Sequence, residues 1–272
     1  MILHNEDCAE TFRRREMKDS LDLIVTSPPY AMRRSDSYGG VKVDEYVGWF
    51  SDISKGMKTC LKDTGSLVVN IKENVTNGQR SLYVFKLVIE LVESQGWRFI
   101  EEYCWNKTNP FPTGNKRRLK DSFERCLHFS KTKDYKFFPD KALVKSESKW
   151  LASEKRRKNK GSHSVTNGSG MNMSKRTASD MVRRGTVITG STSNRNIKHP
   201  AAFPMYLPSI FIELMTEDGD VVCDPFMGSG TTADAAVSMG REFIGVEIDQ
   251  TYFAHAKERL TTPTLFDGGE AN

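Results

Sequence analysis

Long apolar runs and paired cysteines are both missing from this 272-residue sequence. No stretch approaches the roughly 20 apolar residues that cross a bilayer, and residues 1–7 lack the charged-then-apolar pattern of a secretion signal. The five cysteines are odd in number and form no Cys-x-x-Cys pair, which argues against a disulfide framework and against a zinc site. We therefore expect a cytoplasmic protein with no metal site, whose cysteines are small buried apolar side chains.

Two common nucleotide-binding motifs are also missing from the glycine-rich stretch near residue 230. Thr231-Thr232 occupies the place where a P-loop requires Lys followed by Ser or Thr, which excludes a kinase-type phosphate site. A dinucleotide fold would favour the full pattern Gly-x-Gly-x-x-Gly, but after Gly228 and Gly230 the position of the third glycine is occupied by Ala233. A nicotinamide-dependent enzyme is therefore only a weak alternative.

Acidic residues are scarce in one region of the chain. Residues 145–198 contain 13 Lys or Arg but only 3 Asp or Glu, which is a surplus of 10 positive charges. Because the whole chain has a formal net charge of +5, the remaining residues carry a net charge of −5. A segregated basic region is typical of a protein that binds a polyanion, although a solvated basic loop would have the same composition.

The rest of the sequence alternates between helix and strand patterns. Apolar residues recur at helical spacing over 44–62, with Asp44 as a candidate N-cap, and again over 82–94. Buried-strand patterns occur at residues 23–26, 66–71, 97–105 and 124–130. Between about 139 and 200 the apolar periodicity fades. The alternation predicts an α/β fold with a doubly wound, mostly parallel sheet.

The first candidate site is the corner Ser27-Pro28-Pro29-Tyr30, directly after a predicted strand. Two successive prolines remove two backbone donors and hold an extended turn, so the Pro28 carbonyl lacks a local partner. Ligands of α/β proteins bind at the carboxyl ends of strands. A hydroxyl, a carbonyl and an aromatic ring at this place can accept hydrogen bonds from an amino group while the ring stacks on its plane. A surface Pro-Pro turn is the structural alternative.

The second candidate site is a strand, glycine turn, helix and strand within residues 221–249. Gly228 and Gly230 allow the backbone to approach a ligand closely. Glu247 ends the second strand, 17 positions after Gly230, where doubly wound folds place a carboxylate against ribose hydroxyls. Asp224, just before the turn, would repel a pyrophosphate but attract an ammonium or sulfonium charge.

These two stretches together resemble the amino-methyltransferases that modify DNA with S-adenosylmethionine. The catalytic motif precedes the cofactor motif, which resembles the permuted β group of that family, and the resemblance covers residues 1–130 and 199–260. It implies a Rossmann-like fold of the class I methyltransferase type, circularly permuted, with an inserted basic target-recognition region. Asp7-Cys8 resembles the opening Gly-Asp-Cys step of the family, with Glu6 in place of the glycine.

The resemblance also implies roles for individual cofactor residues. Phe226 would line the pocket, the two glycines would form its floor, and Asp224 would help to hold the methionine end. Glu247 would bind the ribose, and Asp7 would lie near the adenine ring. The complete implied cofactor set is Asp7, Phe203, Asp224, Pro225, Phe226, Gly228, Gly230, Thr231, Thr232 and Glu247.

The substrate implied by the resemblance is an exocyclic amine of a DNA base. Ser-Pro-Pro-Tyr usually accompanies the cytosine N4 amine in this family, so we expect a cytosine-N4 enzyme, with adenine N6 as the alternative. Ser27 Oγ and the Pro28 carbonyl would accept the two amine hydrogens, and Tyr30 would stack on a base flipped out of the duplex. Methylation at ring carbon 5 would need a thiolate, and no cysteine follows a proline here.

The predicted organisation has four parts. Residues 1–130 form the catalytic part, 131–198 the target-recognition region, 199–260 the cofactor part and 261–272 a tail. We expect double-stranded DNA to be bound by Arg33, Arg34, Arg156, Arg157, Lys158, Lys175 and Arg176. A cognate restriction endonuclease and a homodimer are partners that the sequence leaves open. An RNA or protein-amide methyltransferase and an inactive DNA-binding module are the remaining alternatives.

Overall fold

The computed structural model describes residues 1–31, 40–110, 117–145, 181–192 and 203–261. The chain divides into two units, one comprising Met1–Phe138 with Thr186–Asn272 and the other Pro139–Gly185. The first unit contains both candidate sites. In the second unit a short antiparallel strand pair is described, together with an ion pair at 2.8 Å between Arg183 and Asp140.

The strands are numbered in chain order. They are β1 Ile2–His4, β2 Leu21–Thr26, β3 Leu61–Ile71, β4 Val75–Thr76, β5 Gln79–Arg80, β6 Arg98–Lys107, β7 Phe123–Ser130, β8 Leu143–Lys145, β9 Met181–Arg183, β10 Val187–Gly190, β11 Val221–Asp224 and β12 Glu242–Val246. The four strands expected between residues 23 and 130 are present as β2, β3, β6 and β7, each extended at one or both ends.

The helices are likewise numbered in chain order. They are α1 Cys8–Phe12, α2 Tyr46–Cys60, α3 Tyr83–Ile89, α4 Tyr206–Met215, α5 Thr231–Ser238 and α6 Gln250–Thr261. A 3-10 turn at Arg15–Met17 follows α1, and a π-helical turn at Glu90–Ser94 continues α3. Among the helices of the described residues, none combines the length and the apolar composition that a membrane span requires.

In the described residues, eight strands form one sheet in the order β1-β12-β11-β2-β3-β7-β6-β10. Only β7 pairs antiparallel with its neighbours β3 and β6, so it alone runs against the other seven strands. The central strand β2 is buried at all six positions because it has parallel partners on both sides and is covered on both faces. The predicted fold class, a doubly wound and mostly parallel sheet, is confirmed.

The circular permutation is visible in the order of the strands. The strand that carries the predicted cofactor turn, β11, comes late in the chain but lies in the middle of the sheet beside β2, which comes early. Residues separated by about 200 positions in sequence are therefore neighbours across one strand pair.

Two details differ from the sequence expectations. The prediction that Asp44 caps α2 is wrong: Glu45 is the N-cap residue, and it makes no side-chain cap bond. The sheet also extends into the region expected for target recognition, because β10 pairs with β6. Lys136, from the same region, forms an ion pair with Asp220 at 2.7 Å. These segments belong to the first unit, so the second unit is narrower than residues 131–198.

The five cysteines are all free, as the sequence predicts. Four of them are buried, and Cys104 is partly exposed. The buried Cys223 and Cys60 belong to the same apolar cluster as Phe50 and Leu67, between the sheet and its helices. Their thiols therefore act as small core side chains.

Candidate functional site

The two predicted sites meet at one edge of the sheet. The parallel strands β2 and β11 end at Thr26 and Asp224, and the Thr26 hydroxyl donates to Asp224 Oδ1 over 2.7 Å. The corner at 27–30 continues from β2, and the glycine turn continues from β11. A buried hydrogen bond therefore joins the start of the catalytic corner to the start of the cofactor turn.

Asp224 is held from three directions. Besides Thr26, the Thr232 hydroxyl at the start of α5 donates to Oδ2 over 2.6 Å, and the Phe226 amide donates to Oδ1 over 3.1 Å. The side chain is only 2% exposed. Burial raises the pKa of Asp224 from its ordinary value of 3.8 to about 6, against the opposing effect of its three donors. The carboxyl group thus links β2, β11 and α5, and Pro225 extends from it into the turn.

The glycine turn has a backbone that favours glycine. Gly228 has φ 54° and Gly230 has φ 84°, both in the left-handed region that side chains disfavour. The Gly228 amide donates to Glu247 Oε2 over 2.8 Å, and the Asp249 amide donates to Oε1 over 2.9 Å. Glu247 is 7% exposed, and this burial raises its pKa. Its carboxylate therefore fixes the turn against the end of β12.

The turn also contains polar atoms whose arrangement fits a polar ligand. Among the described residues, the buried Ser229 Oγ and Thr231 Oγ1 have no hydrogen-bond partner. Unpartnered buried hydroxyls are costly, so a ligand that bonds them would stabilise the turn. Phe226 precedes these residues in the same turn; its ring is partly buried, and its centre lies 5.7 Å from the centre of the Trp49 ring. The donors, the aromatic wall and the two glycines together fit a nucleoside ligand.

Two further predicted cofactor residues have different surroundings. Asp7 is the N-cap of α1, where its Oδ1 accepts the Ala9 amide at 2.8 Å. It follows β1, at the same sheet edge as Glu247, and the nearby Asn5 donates to the Glu247 carbonyl over 2.8 Å. Phe203 is buried shortly before α4. The structure therefore brings Asp7 to the edge where the cofactor turn lies.

The catalytic corner is tied to strands that the sequence did not connect with it. The Tyr30 hydroxyl lies 2.7 Å from Glu124 Oε2 and 3.0 Å from Asn70 Oδ1. Ser27 Oγ is less closely held, at 3.4 Å from Asn70 Oδ1 and 3.5 Å from the Tyr30 hydroxyl. The pKa of Tyr30 is raised well above its ordinary value by burial and by the Glu124 carboxylate. Ser27 is therefore the less constrained of the two hydroxyls.

Sequence reasoning missed Asn70, Glu124 and Lys107. Asn70 stands on β3 in an otherwise apolar run, and it is only 4% exposed. A polar residue within an apolar strand pattern was the signal in the sequence that could have identified it as a site residue. Glu124 on β7 and Lys107 on β6 form an ion pair. Nothing local in the sequence marks that pair, because it forms across two antiparallel strands 17 positions apart.

The predicted DNA-binding residues lie outside the described residues. They are Arg33, Arg34, Arg156, Arg157, Lys158, Lys175 and Arg176. These assignments therefore remain predictions.

The fold and the site together identify a class of enzyme. A permuted, mostly parallel sheet, a glycine turn with an acidic residue at the next strand and a Ser-Pro-Pro-Tyr corner on the same edge are the parts of a Rossmann-like methyltransferase. A family model described as DNA methylase matches residues 21–258. This chain belongs to that DNA methylase family.

Individual relatives agree with the family. The chain is similar to the type II methyltransferase M.PvuII of Proteus hauseri, with 31% identity over 270 residues that cover 89% of this chain and 78% of that protein. A solved structure titled PvuII DNA methyltransferase (cytosine-N4-specific) has a TM-score of 0.73 and 28% identity, covering 97% of this chain and 87% of the other. A structure titled as an M1.HpyAVI–SAM complex, 22% identical with a TM-score of 0.59 over 96% and 99% of the two chains, shares the fold.

The cofactor predicted from the sequence, S-adenosylmethionine, is confirmed by membership of this family. The residues around the glycine turn fit it, because the unpartnered hydroxyls of Ser229 and Thr231 and the buried Glu247 carboxylate can bond a nucleoside and its polar tail. The assignment of each residue to a part of the cofactor remains a prediction.

The cofactor assignment can be tested with Glu247 and Gly230. If Glu247 binds the ribose as predicted, Glu247→Ala should weaken cofactor binding by about 1–3 kcal/mol, because those hydrogen bonds are lost and the Gly228 amide loses its acceptor. Gly230→Asp should also weaken it, because a Cβ at φ 84° is strained and would lie 3.2 Å from a Leu260 methyl. Calorimetric titration with S-adenosylmethionine measures both affinities. Unchanged affinity in both variants would place the cofactor elsewhere.

Proposed function

We propose that this chain methylates the exocyclic N4 amine of cytosine in duplex DNA at a specific sequence. The observation that carries the proposal is the Thr26–Asp224 bond, which joins the Ser-Pro-Pro-Tyr corner to the cofactor turn. A methyl donor and an amine acceptor held at one sheet edge can meet without a covalent enzyme intermediate. Membership of the DNA methylase family supports DNA as the substrate.

The chemistry required of the chain is to make a weak nucleophile reactive. The lone pair of a base amine is delocalised into the ring, so the amine nitrogen attacks poorly unless its geometry becomes tetrahedral. Bound S-adenosylmethionine supplies an electrophilic methyl group on a sulfonium. Ser27 Oγ and the Pro28 carbonyl accept the two amine hydrogens, which localises the lone pair and orients it. Ser27 suits this role because its bonds within the protein, at 3.4 and 3.5 Å, are long.

The target amine must leave the duplex before it can reach this corner. Base extrusion costs a few kcal/mol of stacking and pairing, and an aromatic platform in the pocket offsets part of this cost. Tyr30 is the ring that lies at the corner, three residues from Ser27. We assign the stacking role to it.

We propose cytosine rather than adenine as the target base for two reasons. The first residue of the tetrapeptide is a neutral serine, and the solved relative with 28% identity is titled cytosine-N4-specific. Adenine N6 is the second candidate, because the same acceptors can bond its amine. A transferase acting on RNA or on a protein amide shares the fold but does not account for the DNA methylase family match. An inactive binding module would share that match, but the glycine turn and the buried Glu247 carboxylate, which fit the cofactor, argue against it.

The test is incubation of DNA with methyl-labelled cofactor, followed by nucleoside analysis by mass. We expect N4-methylcytosine. N6-methyladenine would overturn the choice of base, and label in RNA or protein alone would overturn the substrate class.

The type II naming of M.PvuII supports a cognate endonuclease as a cellular partner. Light scattering of the purified chain decides between a monomer and a homodimer.

The region between 131 and 198 is proposed to be the target-recognition region, and we expect it to bind DNA mostly through phosphates. We expect neutralisation of Arg156, Arg157 and Lys158 to glutamine to weaken DNA binding and to flatten its dependence on salt. If all three contact phosphates, the negative slope of log affinity against log salt becomes less steep by about three. Fluorescence anisotropy across a salt series measures it, and Lys141→Gln, outside the basic run, is the control. An unaltered slope in the triple variant would place the DNA on another surface.

A further inference from the structure

Eight charged side chains meet at the carboxyl end of β3 and on the strands beside it, next to the catalytic corner. We call this set the charge network; it comprises Lys72, Glu73, Arg80, Glu102, Lys107, Asp121, Glu124 and Arg125. In the described structure, ion pairs link six of these residues in one chain, and Lys107 and Glu124 form a separate pair beside it. The four cations and four anions balance. Charges that balance within the protein do not need DNA to neutralise them, so most of this network is explained by stability alone.

Glu124 differs from the rest of the network in its second partner. Its Oε1 pairs with Lys107, whereas its Oε2 accepts the Tyr30 hydroxyl at 2.7 Å. The residue is 6% exposed. The Lys107 ammonium is further held 4.7 Å from the centre of the Trp105 ring. A carboxylate with both oxygens bonded and little solvent has a single orientation, and it imposes that orientation on its partner.

The other end of Tyr30 is also constrained. Pro28 and Pro29 fix the backbone immediately before it. With the backbone fixed on one side and the hydroxyl bonded on the other, the ring has few orientations left. A ring that is already in place binds a flipped base without the ordering cost that a mobile ring would pay.

From this geometry we propose that Glu124, held by Lys107, is a positioning residue that sets the Tyr30 ring for the incoming base before DNA binds. The inference rests on the proposed function for the role of the ring, but the contact between the two side chains does not depend on it. Glu124 does not need to touch the base. Its effect on the reaction passes through the Tyr30 hydroxyl.

The experiment is a double-mutant cycle with Tyr30→Phe, Glu124→Gln and the double variant. Hydrogen bonds to charged groups suggest that each single variant slows single-turnover methyl transfer by roughly 10- to 100-fold at saturating DNA. The double variant should be no slower than the slower single variant, because both changes break one contact. Multiplying effects would overturn the proposal, since Glu124 would then act by another route.

The matched control is Glu73→Gln. Glu73 is 4% exposed, and among the described residues its carboxylate pairs with Arg80 at 3.1 Å and with Arg125 at 2.7 Å rather than with Tyr30. It reports the cost of removing one buried carboxylate from the same network. We expect it to lower the melting temperature about as much as Glu124→Gln does, with little change in the single-turnover rate.

A spectroscopic readout separates this proposal from the proposed function. In protein labelled with 3-fluorotyrosine, the Tyr30 signal is the 19F resonance that disappears in Tyr30→Phe. We expect that resonance to split or broaden in Glu124→Gln and to stay unchanged in Glu73→Gln, with no DNA present. An unchanged resonance in Glu124→Gln would overturn the positioning role. A wild-type chain that methylates no DNA would overturn the proposed function alone.

Discussion

Ser27→Ala is expected to slow methyl transfer by roughly 10²–10³-fold, about 3–4 kcal/mol, while cofactor affinity stays nearly unchanged. In the proposed mechanism, the variant removes one of the two acceptors that localise the amine lone pair, and this interaction matters most in the transition state. Among the described residues, the contacts of the Ser27 hydroxyl are long, at 3.4 and 3.5 Å, so its loss should cost little stability. Single-turnover transfer of labelled methyl to DNA measures the rate, and calorimetry measures cofactor binding.

Ser20→Ala is the matched control for this prediction. Ser20 precedes β2 at its opposite end, and its hydroxyl donates to the Met17 carbonyl over 2.7 Å. We expect the control to retain its methyl-transfer rate. If Ser27→Ala is as active as the control, the assigned mechanism is wrong, whereas a methylated adenine product would change only the identity of the base.

Asp224→Ala is expected to lower the free energy of unfolding by roughly 3 kcal/mol at pH 7, because three buried donors lose their acceptor. Those donors are the hydroxyls of Thr26 and Thr232 and the Phe226 amide. The loss should also loosen the joint between the catalytic corner and the cofactor turn. Denaturant unfolding gives the stability, and Asp234→Ala, which removes a partly exposed partner of Arg259, should cost less.

The raised pKa of Asp224 adds a dependence on pH. Because the folded pKa is about 6 and the ordinary value is 3.8, the folded state binds the proton more tightly, and the stabilising contribution is present below pH 3.8 and lost as pH rises through 6. Asp224→Asn does not titrate. Relative to that variant, the wild type should lose roughly 2–3 kcal/mol of unfolding free energy between pH 4 and pH 7. A pH-independent difference would show that the carboxyl group titrates normally.

The sequence predicted the elements of the fold well because each has a local cause. The buried strand before Ser27 follows from a short run of apolar and β-branched residues that the two prolines terminate. The turn at Gly228 and Gly230 follows from the need for positive φ. The N-cap of α2 was placed one residue too early because caps depend on local backbone geometry, which the apolar spacing does not resolve.

The α/β alternation, the two motifs and the family they belong to could be predicted from the sequence, since these depend on residues close together along the chain. The hydrogen-bond partners of the site's side chains could not be predicted, because they depend on how distant strands pair in the tertiary structure. Asp224, which the sequence assigned to the methionine end, is bonded to Thr26 and Thr232 inside the protein, because parallel strands from the two ends of the chain lie side by side. Glu124 reached Tyr30 because β7 pairs with β3 in the direction opposite to the rest of the sheet, a pairing that depends on long-range packing and leaves no local pattern.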